Sequence, residues 1–425
     1  TVSVLYWPFP ACRTVALAKD PSPLPSPYPP TPAAHPTQPR RRIHQPNTSA
    51  TATLREMLRR SAMSLCAPLV LTSSHGSCGR LVTLNKEGSL NALNIPMVEA
   101  LREHYTELHT APANSLVVVM TGAGNKAFCA GGDVVAMVKD EPKGCRQRFF
   151  YTEYQADHLV ATLPQPHIAL WQGIVMGGGV GISAHGKYRV SCEKTLFAMP
   201  ETGIGLFPDV GGSWVLPRLP HEGLGMYLAL TGARLKGSDV LHAGLATHYV
   251  ALEKFPALQE QLLAAKPGDV DAILKAASEE PKTFSLESKL GDIADVFGKK
   301  AESVEGIIDA LKSRGDDWGT KTAATLEKMS PSSMKVSFEC QRRAATHKTI
   351  TETFQMEYNV AQRCMDTTDF NRGVTALLID KSGEKPAWDP EELPLVTKEL
   401  VDAHFAAPSK APVWHPTTPF EPSKL

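Results

Sequence analysis

Between Trp171 and Gly212 the chain reads WQGIVMGGGVGISAHGKYRVSCEKTLFAMPETGIGLFPDVGG, and this stretch restricts the fold more than any other. A short apolar run enters the triple glycine Gly177-Gly178-Gly179. The stretch closes on two acids, Glu201 and Asp209, set among apolar and glycine residues. Glycine lets a backbone turn tightly and approach a ligand, and the first amides of a helix point outward as free donors. A carboxyl held in an apolar wall is poised to act as base or nucleophile. Donors for a developing oxyanion beside such acids make an acyl-transfer site, provided the fold brings them together. Taken alone, the same residues also fit a plain βα turn followed by a solvated loop carboxylate.

The flanking sequence sets the fold class. Arg80–Asn85 alternates like a strand, Leu116–Met120 is a short buried-strand run, and His167–Trp171, Tyr188–Ser191 and Leu196–Met199 read as further strands. Helical patterns fall between them, after Pro96, over Cys145–Ala161 and over Gly178–His185. Strand and helix alternate from about 80 to 250, which predicts an α/β layered domain over 69–255. Beyond Phe255 the pattern turns helical, with helices expected over Leu262–Glu279, Val304–Leu311, Lys321–Met329, Met334–Ala345 and Thr353–Met365, and a strand at most over Ala376–Ile379. A second, mostly helical domain is therefore expected over 256–405, followed by an extended tail over 406–425.

Charge narrows the partners. Lys+Arg and Asp+Glu both number 44, so no basic excess advertises nucleic acid, and no uninterrupted apolar run of spanning length marks a membrane helix. The eight cysteines are scattered without a CxxC pair, and no HExxH occurs among the 14 histidines, which speaks against zinc and a disulfide framework. Residues 1–68 are rich in proline at first and then basic, and cannot build a core. Within them Met57 opens MLRRSAMSLCAPLV, which has the character of a mitochondrial presequence and marks a candidate translation start. The other end reads Ser423-Lys424-Leu425, a peroxisomal address. An organellar location is expected, in mitochondria, peroxisomes or both.

The motifs AFCAGGD, MGGGVG, FAMPETGIGLFPDVGG and TGARLKGSDVLHAGLATHYV resemble the enoyl-CoA hydratase/isomerase (crotonase) superfamily. Within it the chain is most similar to the 3-hydroxyisobutyryl-CoA hydrolases. The likeness extends through the C-terminal segments SPSSMKVSFECQ, TFQMEYNVAQRCM and DFNRGVTALLIDKSGEKPAW, and covers about 79–405. The resemblance implies an α/β fold, a spiral of ββα units followed by helices that help to enclose an acyl-CoA. It also implies site residues. Gly132 and Gly178 match the backbone pair of the oxyanion hole, Glu201 the catalytic acid, Asp209 the acid added in hydrolases, and Glu153 an acid that contacts the small hydroxyacyl group. Glu153, Gly178, Glu201 and Asp209 would together bind the substrate. On general grounds Glu153 reads equally as a solvated helix carboxylate.

Hydratases of this superfamily carry their first glutamate three residues after the middle glycine, and that position here is Gly181. Hydration across a double bond is thus disfavoured, and water attack on a thioester is expected instead. Glu201 either attacks the carbonyl itself or deprotonates a water, and Asp209 positions that water and the substrate hydroxyl. The expected activity is hydrolysis of 3-hydroxyisobutyryl-CoA to 3-hydroxyisobutyrate and CoA in valine breakdown. No cofactor is expected beyond the coenzyme A that is part of the substrate. Competing readings are another crotonase isomerase or hydratase, and a hydrolase-like structural subunit of a mitochondrial ribosome, the one case with a nucleic-acid partner. A homo-oligomer is left open. Lys126 is a candidate partner for a CoA phosphate, and Arg372 with Thr375 departs from the hydrolase pattern on the CoA-facing helix.

Overall fold

In the computed structural model the described residues are 67–140, 144–409 and 411–418, and those from Leu69 onward form one compact unit. Met57 and its basic neighbours, and Ser423-Lys424-Leu425, lie outside the described residues.

Two sheets organise the first part of this unit. Strands β1 (Val70–His75), β2 (Gly79–Leu84), β3 (Val117–Gly122), β5 (His167–Trp171), β7 (Tyr188–Ser191) and β10 (His248–Tyr249) form a six-stranded sheet in the order β1-β2-β3-β5-β7-β10. Only β1 runs antiparallel to its neighbour. Strands β4 (Ala127–Cys129), β6 (Ile174–Met176), β8 (Leu196–Ala198) and β9 (Leu235–Lys236) form the second sheet, with β4, β6 and β8 parallel. The chain thus winds repeatedly through one strand of each sheet and then a helical turn. β3 and β4 lead to helix α2 (Val134–Lys139), β5 and β6 to α4 (Gly178–Ala184), and β7 and β8 to the 3-10 turn Glu201–Ile204. This is the spiral of ββα units.

The central strands β3 and β5 of the first sheet are apolar on both faces because both are covered. Val118, Met120, Ala169 and Trp171 face the main core, while Val117, Val119, Ile168 and Leu170 belong to a second core. That second core is closed by Phe255, Leu258, Leu262, Val270 and Leu274 from helices later in the chain. Continuous apolar runs are the expected signature of strands buried on both sides.

Of the remaining helices, α1 (Ile95–Thr110) starts on Asn94, whose side chain accepts from the Met97 amide, with Pro96 in the first turn. Helix α3 spans Cys145–Ala161, as the pattern predicted, and is packed against α1. Then come α5 (Gly212–Val215), α6 (Leu224–Thr231), α7 (Ser238–His242), α8 (Phe255–Ala264), α9 (Val270–Ala277), α10 (Leu290–Phe297), α11 (Val304–Arg314), α12 (Asp317–Leu326), α13 (Pro331–Ala344), α14 (Ile350–Asp366), α15 (Asp369–Val374) and α16 (Lys398–Phe405). The expected helix over Leu262–Glu279 is two helices, α8 and α9, separated at Pro267-Gly268. The expected strand over Ala376–Ile379 is a π-helical turn, Thr375–Ile379, continuing α15. Among the described residues no helix is long and apolar enough to cross a membrane.

Helix α3 is buried along nearly its whole length, including the polar residues Thr152, Glu153, Gln155 and Asp157. A helix buried all round is a central element. Helix α14 covers one flank of α3, and Trp414 packs against Phe354 of α14 and His158 of α3. The Trp414 indole donates to the Tyr151 carbonyl at 3.2 Å, and the side chain of Gln155 donates to the carbonyls of His415 and Thr418.

Candidate active site

The carboxyl ends of β4, β6 and β8 lie side by side, and each delivers one of the residues singled out in the sequence. Gly132 follows β4, Gly178 follows β6 and Glu201 follows β8. Parallel strands sit about 4.8 Å apart, so pairing alone brings the three positions together. Ligands of open parallel sheets characteristically bind at this end.

The two glycine amides are held apart from the ladder. Leu93 bridges the loop after β4: its amide donates to the Gly131 carbonyl at 2.8 Å, and its carbonyl accepts from Asp133 at 2.7 Å. That pairing uses Gly131 and Asp133 and leaves the Gly132 N–H pointing the other way. The Gly178 N–H opens helix α4, where the first amides have no partner within the helix. Neither amide donates to another group among the described residues. A Cβ placed on Gly178 would lie 3.4 Å from the Gly132 nitrogen, so the two donors are neighbours.

Crowding explains why glycine occupies this turn. A Cβ on Gly178 would come within 2.3 Å of Glu153 Oε1, and one on Gly177 within 3.0 Å of Glu201 Oε1. Gly177 also adopts φ +46 with ψ −123, a conformation that L side chains avoid. The carboxyls of Glu153 and Glu201 therefore hang directly over the triple glycine.

Asp209 joins them from the loop before α5, where it accepts a hydrogen bond of 2.7 Å from the Tyr154 hydroxyl. Glu153 is 2 % exposed, Glu201 5 % and Asp209 3 %, so none of the three is a solvated loop or helix carboxylate. One oxygen of Glu153 (Oε1) and one of Glu201 (Oε2) are buried without a hydrogen-bond partner among the described residues. Buried polar atoms left unpaired are costly, and they are where a substrate or water is expected to dock.

Burial and mutual repulsion set the charge of this cluster. Burial first, and then the charge of Asp209, hold Glu201 well above the ordinary carboxylate range. Glu153 is raised in the same way, by burial and then by Asp209 and Glu201. Asp209 is pushed up to about 7 by burial, with the Tyr154 hydrogen bond opposing the rise. Groups poised near neutrality are suited to proton transfer.

Two more buried acids complete the cluster, and neither was found in the sequence. Asp157, one helical turn after Glu153, has both oxygens buried and unpartnered among the described residues, and burial raises it well above its ordinary value. Glu357 of α14 accepts from the backbone amides of Gly211 at 2.6 Å and Ser213 at 2.9 Å. The spacing from Glu153 to Asp157 on a predicted helix was a usable signal for Asp157. Glu357 lies far away in sequence, so nothing local could reveal it.

Gly181, the position of the first hydratase glutamate, is enclosed. A Cβ there would approach Val210 Cβ to 2.6 Å and Asp157 Oδ2 to 2.7 Å. Lys126 is exposed at the start of β4, the opposite end of that strand from Gly132. Arg372 is engaged within the chain, donating to the Ala387 carbonyl at 2.9 Å with Asp389 at 3.8 Å. Its helix, α15, packs on the Glu201–Ile204 turn and on α2.

Comparison with known proteins agrees with this architecture. The sequence pattern described as enoyl-CoA hydratase/isomerase matches residues 79–405. The chain belongs to that family. A mitochondrial 3-hydroxyisobutyryl-CoA hydrolase of Xenopus tropicalis is 44% identical over 340 residues, 78% of this chain and 87% of the relative. The protein of the same name from Homo sapiens is 41% identical over 367 residues, 84% of this chain and 93% of the relative. Among solved enoyl-CoA hydratase/isomerase folds, a carnitinyl-CoA dehydratase from Mycobacterium thermoresistibile superposes with a TM-score of 0.74 at 34% identity. It spans 81% of this chain and 98% of its own.

Proposed function

We propose that this chain hydrolyses 3-hydroxyisobutyryl-CoA to 3-hydroxyisobutyrate and CoA, a reaction that belongs in valine breakdown. The observation that carries the reading is the crowding of Glu153 and Glu201 over the triple glycine, beside the neighbouring amides of Gly132 and Gly178, with Asp209 near enough for its charge to act on both acids and no room for an acid at Gly181. The names of the relatives supply the acyl group.

In this reading the thioester oxygen accepts from the Gly132 and Gly178 amides as the carbonyl carbon becomes tetrahedral. Such a donor is worth about 3–4 kcal/mol of barrier. The C–S bond breaks, the carbonyl carbon gains an oxygen that comes finally from water, and the CoA thiolate takes up the proton. Glu201 supplies the attack, either as nucleophile through an anhydride that water then opens, or as the base that deprotonates water. Asp209 and Glu153 receive the substrate hydroxyl and orient the water.

Thiol release from a panel of CoA esters tests this. 3-Hydroxyisobutyryl-CoA is expected to turn over faster than isobutyryl-CoA, by up to about 10⁴-fold, because the unhydroxylated ester leaves buried acids unpaired. Equal rates would remove the hydroxyl-reading role. Faster hydration of an enoyl-CoA than hydrolysis would remove the hydrolase reading altogether. The relatives carry enzyme names, which leaves the ribosomal-subunit alternative without support.

The relatives are also mitochondrial by name, and we extend that location to this chain. A fluorescent fusion at the C-terminus, which leaves Met57 and its neighbours free, is expected in mitochondria. A fusion at the N-terminus, which leaves Ser423-Lys424-Leu425 free, tests the peroxisomal address separately.

A further inference from the structure

The turn that carries Asp209 is held in an unfavourable backbone shape. Val210 has φ +51 and Gly211 φ +80, so two consecutive residues are left-handed. For glycine this costs nothing special, whereas a β-branched residue in that region is a true outlier and is strained. Such a conformation persists only where surrounding groups enforce it.

Two groups grip this turn from outside. The Glu357 carboxylate reaches in from α14 and accepts from Gly211 N at 2.6 Å and Ser213 N at 2.9 Å, one amide to each oxygen. His185, at the end of α4, contacts the Val210 carbonyl through Nε2 at 2.8 Å. A carbonyl only accepts, so Nε2 carries the proton and His185 is fixed in that tautomer. The grip is tight: a Cβ on Gly211 would fall 2.3 Å from His185 Nε2. Glu357 is wholly buried, and its hydrogen bonds among the described residues go to this turn and not to Glu153, Glu201 or Asp209.

We propose that Glu357 is a positioning residue: it clamps the left-handed Val210–Gly211 turn and thereby fixes the direction from which Asp209 meets the substrate. The inference rests on the reading of Asp209 as a substrate-contacting acid. It makes the C-terminal helical part of the chain a working component of the site, since α14 sets the geometry of a loop some 146 residues earlier. Two hydrogen bonds to amides of the same turn, one to each carboxyl oxygen, hold the backbone against such strain.

Glu357→Gln tests it. The amide keeps the size but turns one acceptor into a donor facing a backbone N–H, so one of the two bonds is replaced by repulsion. Expected are a fall in kcat of about tenfold to a hundredfold with KM little changed. The preference for 3-hydroxyisobutyryl-CoA over isobutyryl-CoA should collapse toward equality, which a loss of folded protein alone would not produce. Val210→Gly removes the strain that the clamp opposes, so Glu357→Gln should cost less in that background than in the parent. Glu357→Asp, which keeps the charge but draws the carboxylate back, serves if Glu357→Gln does not fold, and should lose the same selectivity. The proposal is overturned if the folded variant keeps parental selectivity, or if the losses of Glu357→Gln and Val210→Gly simply multiply. Asp209→Asn, run beside them, separates the two ideas. If Asp209→Asn is silent, the role of Asp209 fails, and the clamp with it. If Asp209→Asn loses selectivity while the Glu357 variants keep it, the clamp alone fails.

Discussion

The Tyr154 hydroxyl donates to Asp209 Oδ2 across 2.7 Å, so a buried phenol one residue along from Glu153 controls how readily a loop acid ionises. The bond favours the charged form of Asp209 and opposes the rise that burial imposes. Removing it should push the Asp209 carboxyl above its value of about 7. Tyr154→Phe is therefore expected to move the acid limb of the kcat/KM profile to higher pH, by about one unit for a bond of about 1.5 kcal/mol. Activity should be depressed at pH 7 and largely recovered at pH 9. An unshifted limb would mean that the Asp209 ionisation does not govern turnover.

Glu201→Gln keeps the shape of the side chain and removes the carboxylate proposed to act as nucleophile or base. Turnover should fall by at least about 10²–10⁴-fold, while affinity for a non-hydrolysable ketone analogue, with CH2 in place of the thioester sulfur, survives on the Gly132 and Gly178 amides. The double variant with Asp209→Asn should lose less than the product of the single effects, as expected for groups acting as one unit. Glu193→Gln is the control: Glu193 is exposed, and its carboxylate accepts from the Leu252 amide at 3.0 Å, away from the cluster. Should Glu201→Gln behave like Glu193→Gln, the reacting carboxylate lies elsewhere.

Stability and activity should run in opposite directions with pH. The folded-state value of Asp209, about 7, stands above its ordinary 3.8, so the folded chain binds this proton more tightly than the unfolded one. The stabilisation is complete below about pH 4 and is lost as pH rises toward 7, amounting to roughly 4 kcal/mol at most from this one group. Glu153, Glu201 and Asp157 are raised as well and push the same way. Hydrolysis needs ionised carboxyls and should climb across the same interval. Asp209→Asn should then raise the melting temperature at pH 8 more than at pH 5 while it lowers turnover. An equal change at both pH values would show that Asp209 does not carry the linkage.

Gly181→Glu restores the acid that hydratases use, but it has nowhere to sit. Its Cβ would be 2.6 Å from that of Val210, in the turn that carries Asp209. Overpacking of this kind typically costs about 1–3 kcal/mol. The variant is expected to melt earlier, to lose hydrolysis and to gain no hydration of crotonyl-CoA. Appearance of hydration with hydrolysis intact would show that the pocket accommodates the side chain.

Much of this architecture was legible in the chain itself. The strands buried on both faces announced themselves as unbroken apolar runs, and α3 and β5 fell on the predicted residues. The triple glycine and its acids were legible because their chemistry is local: crowding over Gly178 and Gly177 leaves no room for another residue. Strand β1 left no trace, since five of its six residues are exposed on a sheet edge and carry no alternation. The turn Thr375–Ile379 reads TALLI, an apolar run too short for periodicity to tell strand from helix. Tyr154, Asp157, His185 and Glu357 matter through contacts made across the fold, and a residue type gives no hint of a partner that only tertiary packing brings near.

Three successive turns of one spiral each end a strand beside the last, and two of those ends supply only backbone amides. The spacing of the Gly132 and Gly178 amides, the proposed oxyanion donors, is therefore inherited from strand pairing and owes nothing to any side chain. Acids around such a frame can change without moving the amides themselves, provided the surrounding packing changes with them. Evolution is left with a fixed pair of amides, the proposed cradle for a thioester, and a set of exchangeable reagents around it. This is the physical ground on which a dehydratase and a hydrolase can descend from the same fold.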